Sequence, residues 1–300
     1  MCGIVGLFIK NAALEPRLGE LIAGMLVEMS ERGPDSAGIA VYRNPSPGDA
    51  VKLVLFSHDE DFNWAQLAGE LARGLGDRAS CEVRASHAIL VVHEHLDQIR
   101  HWLREHHPDL RLMSAGNAIE IFKEKGLPRD LVERFDLRHV AGSHALGHTR
   151  MATESAVTTE HSHPFSTGMD LCLVHNGSLS NHNRLRQKLK REGITFKTDN
   201  DTEVGAGYLA WRLREGDTLE EALTHGFSDL DGFYTFAIGT RDGFAVVRDP
   251  IACKHAVLAE TDDWVAMATE YRAIAVLPGA DHANIWEPKP GTIYAWNHAA

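Results

Sequence analysis

A chain of 300 residues with 44% hydrophobic side chains can bury one large core or two smaller ones. Its formal charge of −12, without any long basic run, argues against nucleic acid as a partner. The longest apolar runs, such as Ile89-Leu90-Val91-Val92, are strand-sized, so no membrane span is expected, and the absence of a secretory signal pattern points to the cytoplasm. Cys2, Cys81, Cys172 and Cys253 include no Cys-x-x-Cys pair, and the last three read as small apolar residues in a reducing compartment. Among the 18 histidines, those at 93, 95, 101, 106 and 107 lack ligand spacing; they fit a solvated helix, and no metal site is expected.

In chain order, Gly3-Ile4-Val5-Gly6 predicts a short buried strand with close backbone approach at each end. Leu18, Leu21, Ile22, Met25, Leu26 and Met29 recur at helical spacing, predicting an amphipathic helix over a sheet, which Arg32-Gly33-Pro34-Asp35-Ser36 terminates. Residues 37–42 and 51–56, separated by Asn44-Pro45-Ser46-Pro47-Gly48, read as a hairpin. From about 61 to 140, helical patterns at 64–72, 96–105, 118–125 and 128–135 alternate with apolar runs at 88–92 and 110–113. This stretch reads as an elaboration inserted between core strands. Residues 170–175 predict a strand entering Asn176-Gly177, a tight-turn signal. Helices follow at 181–191, 201–215 (capped by Asp199 or Asn200) and 219–225, then short strands at 232–239, 243–248, 255–258 and 264–268. Without repeats or linker-like stretches, 2–300 reads as a single domain.

The chemistry concentrates at Cys2. Removal of Met1 would give this residue a thiol and a free α-amine on one carbon. With reference pKa values of about 8.5 and about 8, the amine can take the thiol proton directly or through one water. A thiolate acting on an amide also needs donors for the oxyanion. Asn176 offers a side-chain amide and Gly177 an approachable backbone N–H. Arg150 can clamp a carboxylate through two parallel bonds and Asp201 can pair with an ammonium, which together suit the head of a free amino acid.

The motifs are specific. Cys2-Gly3-Ile4-Val5-Gly6 resembles the opening of class II, N-terminal-cysteine glutamine amidotransferases, and Arg32-Gly33-Pro34-Asp35-Ser36-Ala37-Gly38 is similar to their second motif. Gly147-His148-Thr149-Arg150 with Ala152-Thr153 resembles their glutamine-carboxylate loop, followed by His161-Ser162-His163-Pro164-Phe165. His175-Asn176-Gly177 with Asn181, and Asp199-Asn200-Asp201-Thr202-Glu203, complete a series in family order; Leu230-Asp231-Gly232, Arg248-Asp249-Pro250 and Ala268-Thr269-Glu270 are also similar.

The resemblance implies an α+β, four-layer αββα N-terminal nucleophile (Ntn) hydrolase fold, with two stacked, mainly antiparallel sheets. It implies that Cys2 attacks the glutamine side-chain carbonyl, that Asn176 and Gly177 hold the oxyanion, and that Arg150, Thr153, His163 and Asp201 bind substrate. Arg32 and Gly3 would support the Cys2 loop. Met151 after Arg150, and Glu154 after Thr153, set the chain apart from the aminosugar branch.

In such enzymes the glutaminase part feeds ammonia to a synthase part. Only about thirty residues follow Ala268, and neither a phosphate loop nor an iron–sulfur cysteine cluster occurs. The expected partners are therefore L-glutamine and a synthase subunit on a separate chain. The resemblance favours the stand-alone amidotransferase subunits of split glutamate synthases and N-methylglutamate synthases. Flavin mononucleotide and iron–sulfur clusters would then sit on the partner, with no cofactor in this chain. Two alternatives are a self-sufficient amidohydrolase acting on another γ-glutamyl amide, and an inactive scaffolding subunit. Joint retention of Cys2, Asn176, Gly177, Arg150 and Asp201 argues against the second.

Overall fold

The computed structural model describes residues 2–75, 79–152 and 156–298. The chain runs β1 (Gly3–Ile9), α1 (Leu18–Glu28), β2 (Ser36–Tyr42), β3 (Val51–Phe56), α2 (Trp64–Leu75), β4 (Ser80–Arg84), β5 (His87–Val92), α3 (Leu96–His106), β6 (Arg111–Gly116) and β7 (Ile119–Lys125). It continues through α4 (Pro128–Arg134), β8 (His144–Arg150), β9 (Cys172–Leu179), α5 (His182–Arg191), α6 (Asp201–Arg214), α7 (Leu219–Asp229), β10 (Gly232–Gly239) and β11 (Gly243–Arg248). The last elements are β12 (Val257–Glu260), β13 (Trp264–Ala268), α8 (Tyr271–Ile274), β14 (Asn284–Trp286) and β15 (Thr292–Asn297).

Two antiparallel sheets stack. One has seven strands in the order β14-β12-β13-β1-β8-β2-β7 and the other four in the order β15-β11-β10-β9. Ile4, Phe8 and Leu146 of the first join Val174, Ala237 and Val246 of the second in one apolar cluster. Gly6 permits this approach: a Cβ there would lie 3.0 Å from Leu146 Cδ2 and 3.1 Å from Phe244 Cε2. Helix α1 buries Leu18, Ile22, Met25 and Leu26 completely and packs on β1 and β8. Each such side chain contributes about 1.5–3 kcal/mol of apolar burial. On the opposite side, α6 packs on β9, and a second apolar cluster joins α5, α6 and α7 to the four-stranded sheet. The four αββα layers expected of an Ntn hydrolase are thus present.

A third sheet, β4-β5-β3-β6, has its own apolar cluster with α2 and α3. Here the strand pairing departs from the sequence reading. β2 and β3 do not form a hairpin: β2 is flanked by β7 and β8, and β3 pairs with β5 and β6. Residues 118–125, read as helical, form strand β7, because Ile119 and Ile121 alternate along an open sheet edge, where tertiary pairing overrides local propensity. The added unit therefore begins at β3, before residue 61, while β7 belongs to the main sheet.

Polar groups join the added sheet to the main one. The buried Glu120 carboxylate accepts from Lys52 Nζ at 2.9 Å and from Arg43 Nε. The Asp170 carboxylate takes the backbone N–H groups of Asn117, Ala118 and Ile119 at 2.7–3.0 Å, fixing the turn from β6 to β7. Asn176-Gly177 is not a turn either. β9 runs through it to Leu179, with Asn176 opposite Thr235 and Gly177 opposite Tyr234. Gly177 has φ +146°, and a Cβ would stand 2.0 Å from the Phe233 carbonyl oxygen, so close strand approach rather than chain reversal requires the glycine.

Candidate active site

The candidate residues gather where the two stacked sheets present β1, β8 and β9 at one end. β1 enters the sheet at Gly3, opposite Thr149 of β8. A Cβ at Gly3 would lie 2.9 Å from Thr149 Oγ1 and 3.0 Å from Met29 Cβ, so a larger residue would displace the strand start that carries Cys2. Cys2 is half-buried, with Sγ 3.8 Å from the Met151 carbonyl oxygen. Its own carbonyl accepts from Arg32 Nε at 3.0 Å and from Asn176 Nδ2 at 3.3 Å. Behind it, Thr269 Oγ1 accepts from Ile4 N at 2.8 Å and from Asn176 Nδ2 at 3.1 Å. Arg32 also pairs with Glu270, and this hydrogen bond holds the Glu270 carboxyl below its ordinary pKa.

Arg150 ends β8 and is 5% exposed; one guanidinium nitrogen donates to the Ala156 carbonyl at 3.0 Å. Burial lowers its pKa, opposed by the charges of Cys2, Asp35 and Asp199. Asp35 secures the loop after β8: its N–H donates to the Arg150 carbonyl, and its carboxylate accepts from Ala152 N at 2.8 Å. Thr153 lies outside the described residues.

Asp201 opens α6, whose N-cap is Asn200, its side chain accepting from Thr202 N at 2.8 Å. Asp201 Oδ2 accepts from Leu179 N at 2.9 Å, and Oδ1 lies 3.7 Å from His175 Nδ1. The carboxylate keeps 23% exposure and so retains room for a further donor. Beneath it sits a buried histidine group. His163, preceding a cis peptide to Pro164, stacks on His148 with ring centroids 4.0 Å apart. His163 Nδ1 accepts from His175 N at 3.4 Å, and its Nε2 lies 3.3 Å from Thr202 Oγ1, itself 3.0 Å from His175 Nδ1. Because Nδ1 accepts from a backbone N–H, the proton of His163 is on Nε2, which donates to Thr202 Oγ1. Burial lowers the pKa of all three histidines, to about 3 for His148.

The structure ties Cys2 directly to Arg32 and Asn176, sets Gly3 opposite Thr149, the residue before Arg150, and places Asp201 beside His175 and Leu179, on the strand that carries Asn176 and Gly177. It places His163 beneath the site, against protein groups, rather than facing open space. The residues whose function sequence reasoning missed are Thr269, Glu270, Thr202 and Asp35. Each sits inside a quoted motif, yet its contact is made across more than a hundred residues or through a buried neighbour. The remaining cysteines are free thiols; Cys172 is buried and Cys253 is exposed, contrary to its expected apolar setting. Among the described residues no helix is long and apolar enough to cross a membrane.

Chemically, a half-buried thiol senses the buried Arg150 cation, the Asn176 amide bonds the backbone of the same cysteine, and the Asp201 carboxylate lies beside His175, the neighbour of Asn176; such groups can receive an amino-acid head and a side-chain amide. Comparisons with known proteins agree. Residues 148–276 match the glutamine amidotransferase domain. The chain is 54% identical over 299 residues to the glutamine amidotransferase-like protein GlxB of Rhizobium meliloti, covering 99% of each. It is 30% identical over 303 residues to a putative glutamine amidotransferase of Methanothermobacter thermautotrophicus, covering 98% of each. Its fold is similar to that of the glutamine phosphoribosylpyrophosphate amidotransferase of B. subtilis, with a TM-score of 0.63 at 22% identity, over 99% of this chain and 47% of that one. By end-to-end similarity this chain belongs to the glutamine amidotransferase family, and its fold is that of the Ntn-type amidotransferases.

Proposed function

We propose that the chain is a glutaminase subunit that hydrolyses L-glutamine to L-glutamate and ammonia and delivers the ammonia to a synthase on a separate chain, of the glutamate synthase or N-methylglutamate synthase type. The observation that carries the glutaminase reading is the convergence of Arg32 and Asn176 on the Cys2 carbonyl, beside the buried Arg150 and the partly open Asp201. The synthase assignment rests on the sequence resemblance and on the added third sheet. Flavin mononucleotide and iron–sulfur clusters belong to that partner.

Removal of Met1 frees the Cys2 amine, which takes the thiol proton as sulfur bonds to the glutamine side-chain carbonyl carbon. Negative charge moves to the carbonyl oxygen, where Gly177 N–H and Asn176 Nδ2 are the donors. Both protons of that amide are engaged at rest, so Asn176 exchanges its longer bond, to the Cys2 carbonyl, for the oxyanion. The C–N bond then breaks, the α-ammonium returns its proton to the leaving nitrogen, and ammonia departs. Water adds to the thioester carbon as the amine again accepts a proton; the C–S bond then breaks, that proton returns to the Cys2 sulfur, and glutamate leaves. Arg150 and Thr153 hold the α-carboxylate and Asp201 the α-ammonium, while His163 positions His175 and the strand carrying Asn176.

Intact mass before and after treatment with 6-diazo-5-oxo-L-norleucine tests the glutaminase reading. The expected result is loss of Met1 and one adduct on Cys2, blocked by glutamine; a retained Met1 without adduct refutes it. Glutamine labelled with nitrogen-15 in the amide tests delivery. The isolated chain should release the label as free ammonia, and addition of the synthase subunit should divert it into an amino acid. Label that stays free in the presence of that subunit refutes the partner assignment.

A further inference from the structure

A cavity of about 1370 Å³ lies between the added sheet and α6, lined by β3, α3, β6 and one side of α6 from Glu203 to Arg214. It exceeds the roughly 300–1,000 Å³ of a small-ligand pocket, so a ligand would fill only part of it. The relevant part surrounds Lys123 of β7. Lys123 is 3% exposed, yet among the described residues its ammonium has no hydrogen-bond or ion-pair partner and lies 4.3 Å from the centroid of the Phe165 ring.

The nearby carboxylates are already occupied. Glu203 accepts from Lys197 N, Thr198 N and Thr198 Oγ1 at 2.8 Å each, and Glu160 pairs with His58 and Arg111. A buried cation without a contacting counter-charge is costly unless something completes it. Burial, partly offset by Glu203 and Glu160, pulls Lys123 down to about 7. Cys172, His87 and His163 are its other titratable neighbours. Apolar surface from Phe165, Met113 and Leu55 stands around the same cavity.

We propose that this cavity is a second ligand site, taking a small organic monocarboxylate whose charge meets the Lys123 ammonium and whose apolar body packs on Phe165. One negative charge matches one unpaired ammonium, whereas a phosphate dianion would meet repulsion from Glu203 and Glu160. Occupancy is felt at the glutamine site through adjoining groups. Phe165 packs edge-on against His163, with centroids 5.2 Å apart, and His163 accepts from His175 N, the residue before Asn176. Glu203 fixes the 197–198 backbone that leads into Asp201.

The test is calorimetric titration of sodium benzoate into the full chain at pH 7.5 in HEPES and in Tris. Saturable one-to-one binding with proton uptake is expected, weakened at least tenfold in Lys123→Met. Benzoate should change the rate of Cys2 labelling by 6-diazo-5-oxo-L-norleucine at least twofold in the wild type and leave it unchanged in the variant. Reductive methylation of the wild-type chain, mapped by peptide mass, needs no variant: Lys123 should react at pH 7 and be protected by benzoate. The proposal is overturned if benzoate does not saturate the wild type, if Lys123→Met binds it equally, if inorganic phosphate binds more tightly, if Lys123 is unreactive or unprotected, or if the labelling rate ignores benzoate.

Discussion

Asn176 Nδ2 stands 3.3 Å from the Cys2 carbonyl oxygen, so the side chain assigned to the oxyanion also holds the nucleophile's own backbone. Asn176→Ala removes both contacts. Loss of one oxyanion donor lowers kcat by about 10²–10³-fold, and the expected change in KM is smaller because the amino-acid head is held elsewhere. Steady-state ammonia release gives both constants. A variant with raised KM and unchanged kcat would assign Asn176 to ground-state binding alone.

Much of this arrangement was legible in the sequence because it is written locally. The 18–29 apolar stripe becomes α1, and Cys2, Arg32, Arg150, Asn176 and Asp201 fall in short motifs whose order follows the fold. The misreadings have one physical origin, which is long-range pairing. Nothing local distinguishes a hairpin between β2 and β3 from the observed insertion of β2 between β7 and β8. Gly177 looks like a turn residue because φ above zero favours glycine in both settings, and only the Phe233 carbonyl explains it here. Thr269 is equally silent alone, since its contacts to Ile4 and Asn176 are 265 and 93 residues away.

Glu270 orients Arg32 and so bears indirectly on Cys2. Glu270→Gln preserves shape but weakens the pair, and kcat should fall several-fold with little change in KM. The Arg32 hydrogen bond lowers the Glu270 pKa from 4.5. Its ionised contribution is therefore fully present above pH 4.5 and lost only as pH falls through the lower folded value. Across pH 6–9 the deficit of the variant should stay constant; a deficit that varies in that range would assign the effect to another titrating group.

Asp201→Asn can still accept from Leu179 N but lacks the charge that would meet the substrate ammonium. A charge-assisted hydrogen bond contributes about 1.5–3 kcal/mol, so KM for glutamine should rise roughly tenfold to a hundredfold while the melting temperature changes little. An unchanged KM with a large fall in melting temperature would make Asp201 a first-turn helix residue and remove it from the substrate site.

Buried histidines set the acid limit of the fold. Burial lowers His87, His144 and His148 from 6.5 to about 3, and also lowers His163 and His175. Between those two values the unfolded chain binds protons that the folded chain excludes. Stability is therefore complete above pH 6.5 and declines as pH falls through the unfolded value towards the folded one. At pH 5 each histidine held near 3 subtracts about 2 kcal/mol, enough together to consume much of a typical domain's margin of about 5–15 kcal/mol. Denaturant unfolding measured from pH 7.5 to 5 should show this decline. His144→Gln should flatten it without touching the nucleophile, because His144 Nε2 bonds the Thr240 carbonyl, remote from the Cys2 cluster in the hydrogen-bond network. A flat profile in the wild type would mean that these imidazoles are protonated in the folded chain. The neutral Nδ1 acceptor through which His163 receives the His175 N–H would then not exist.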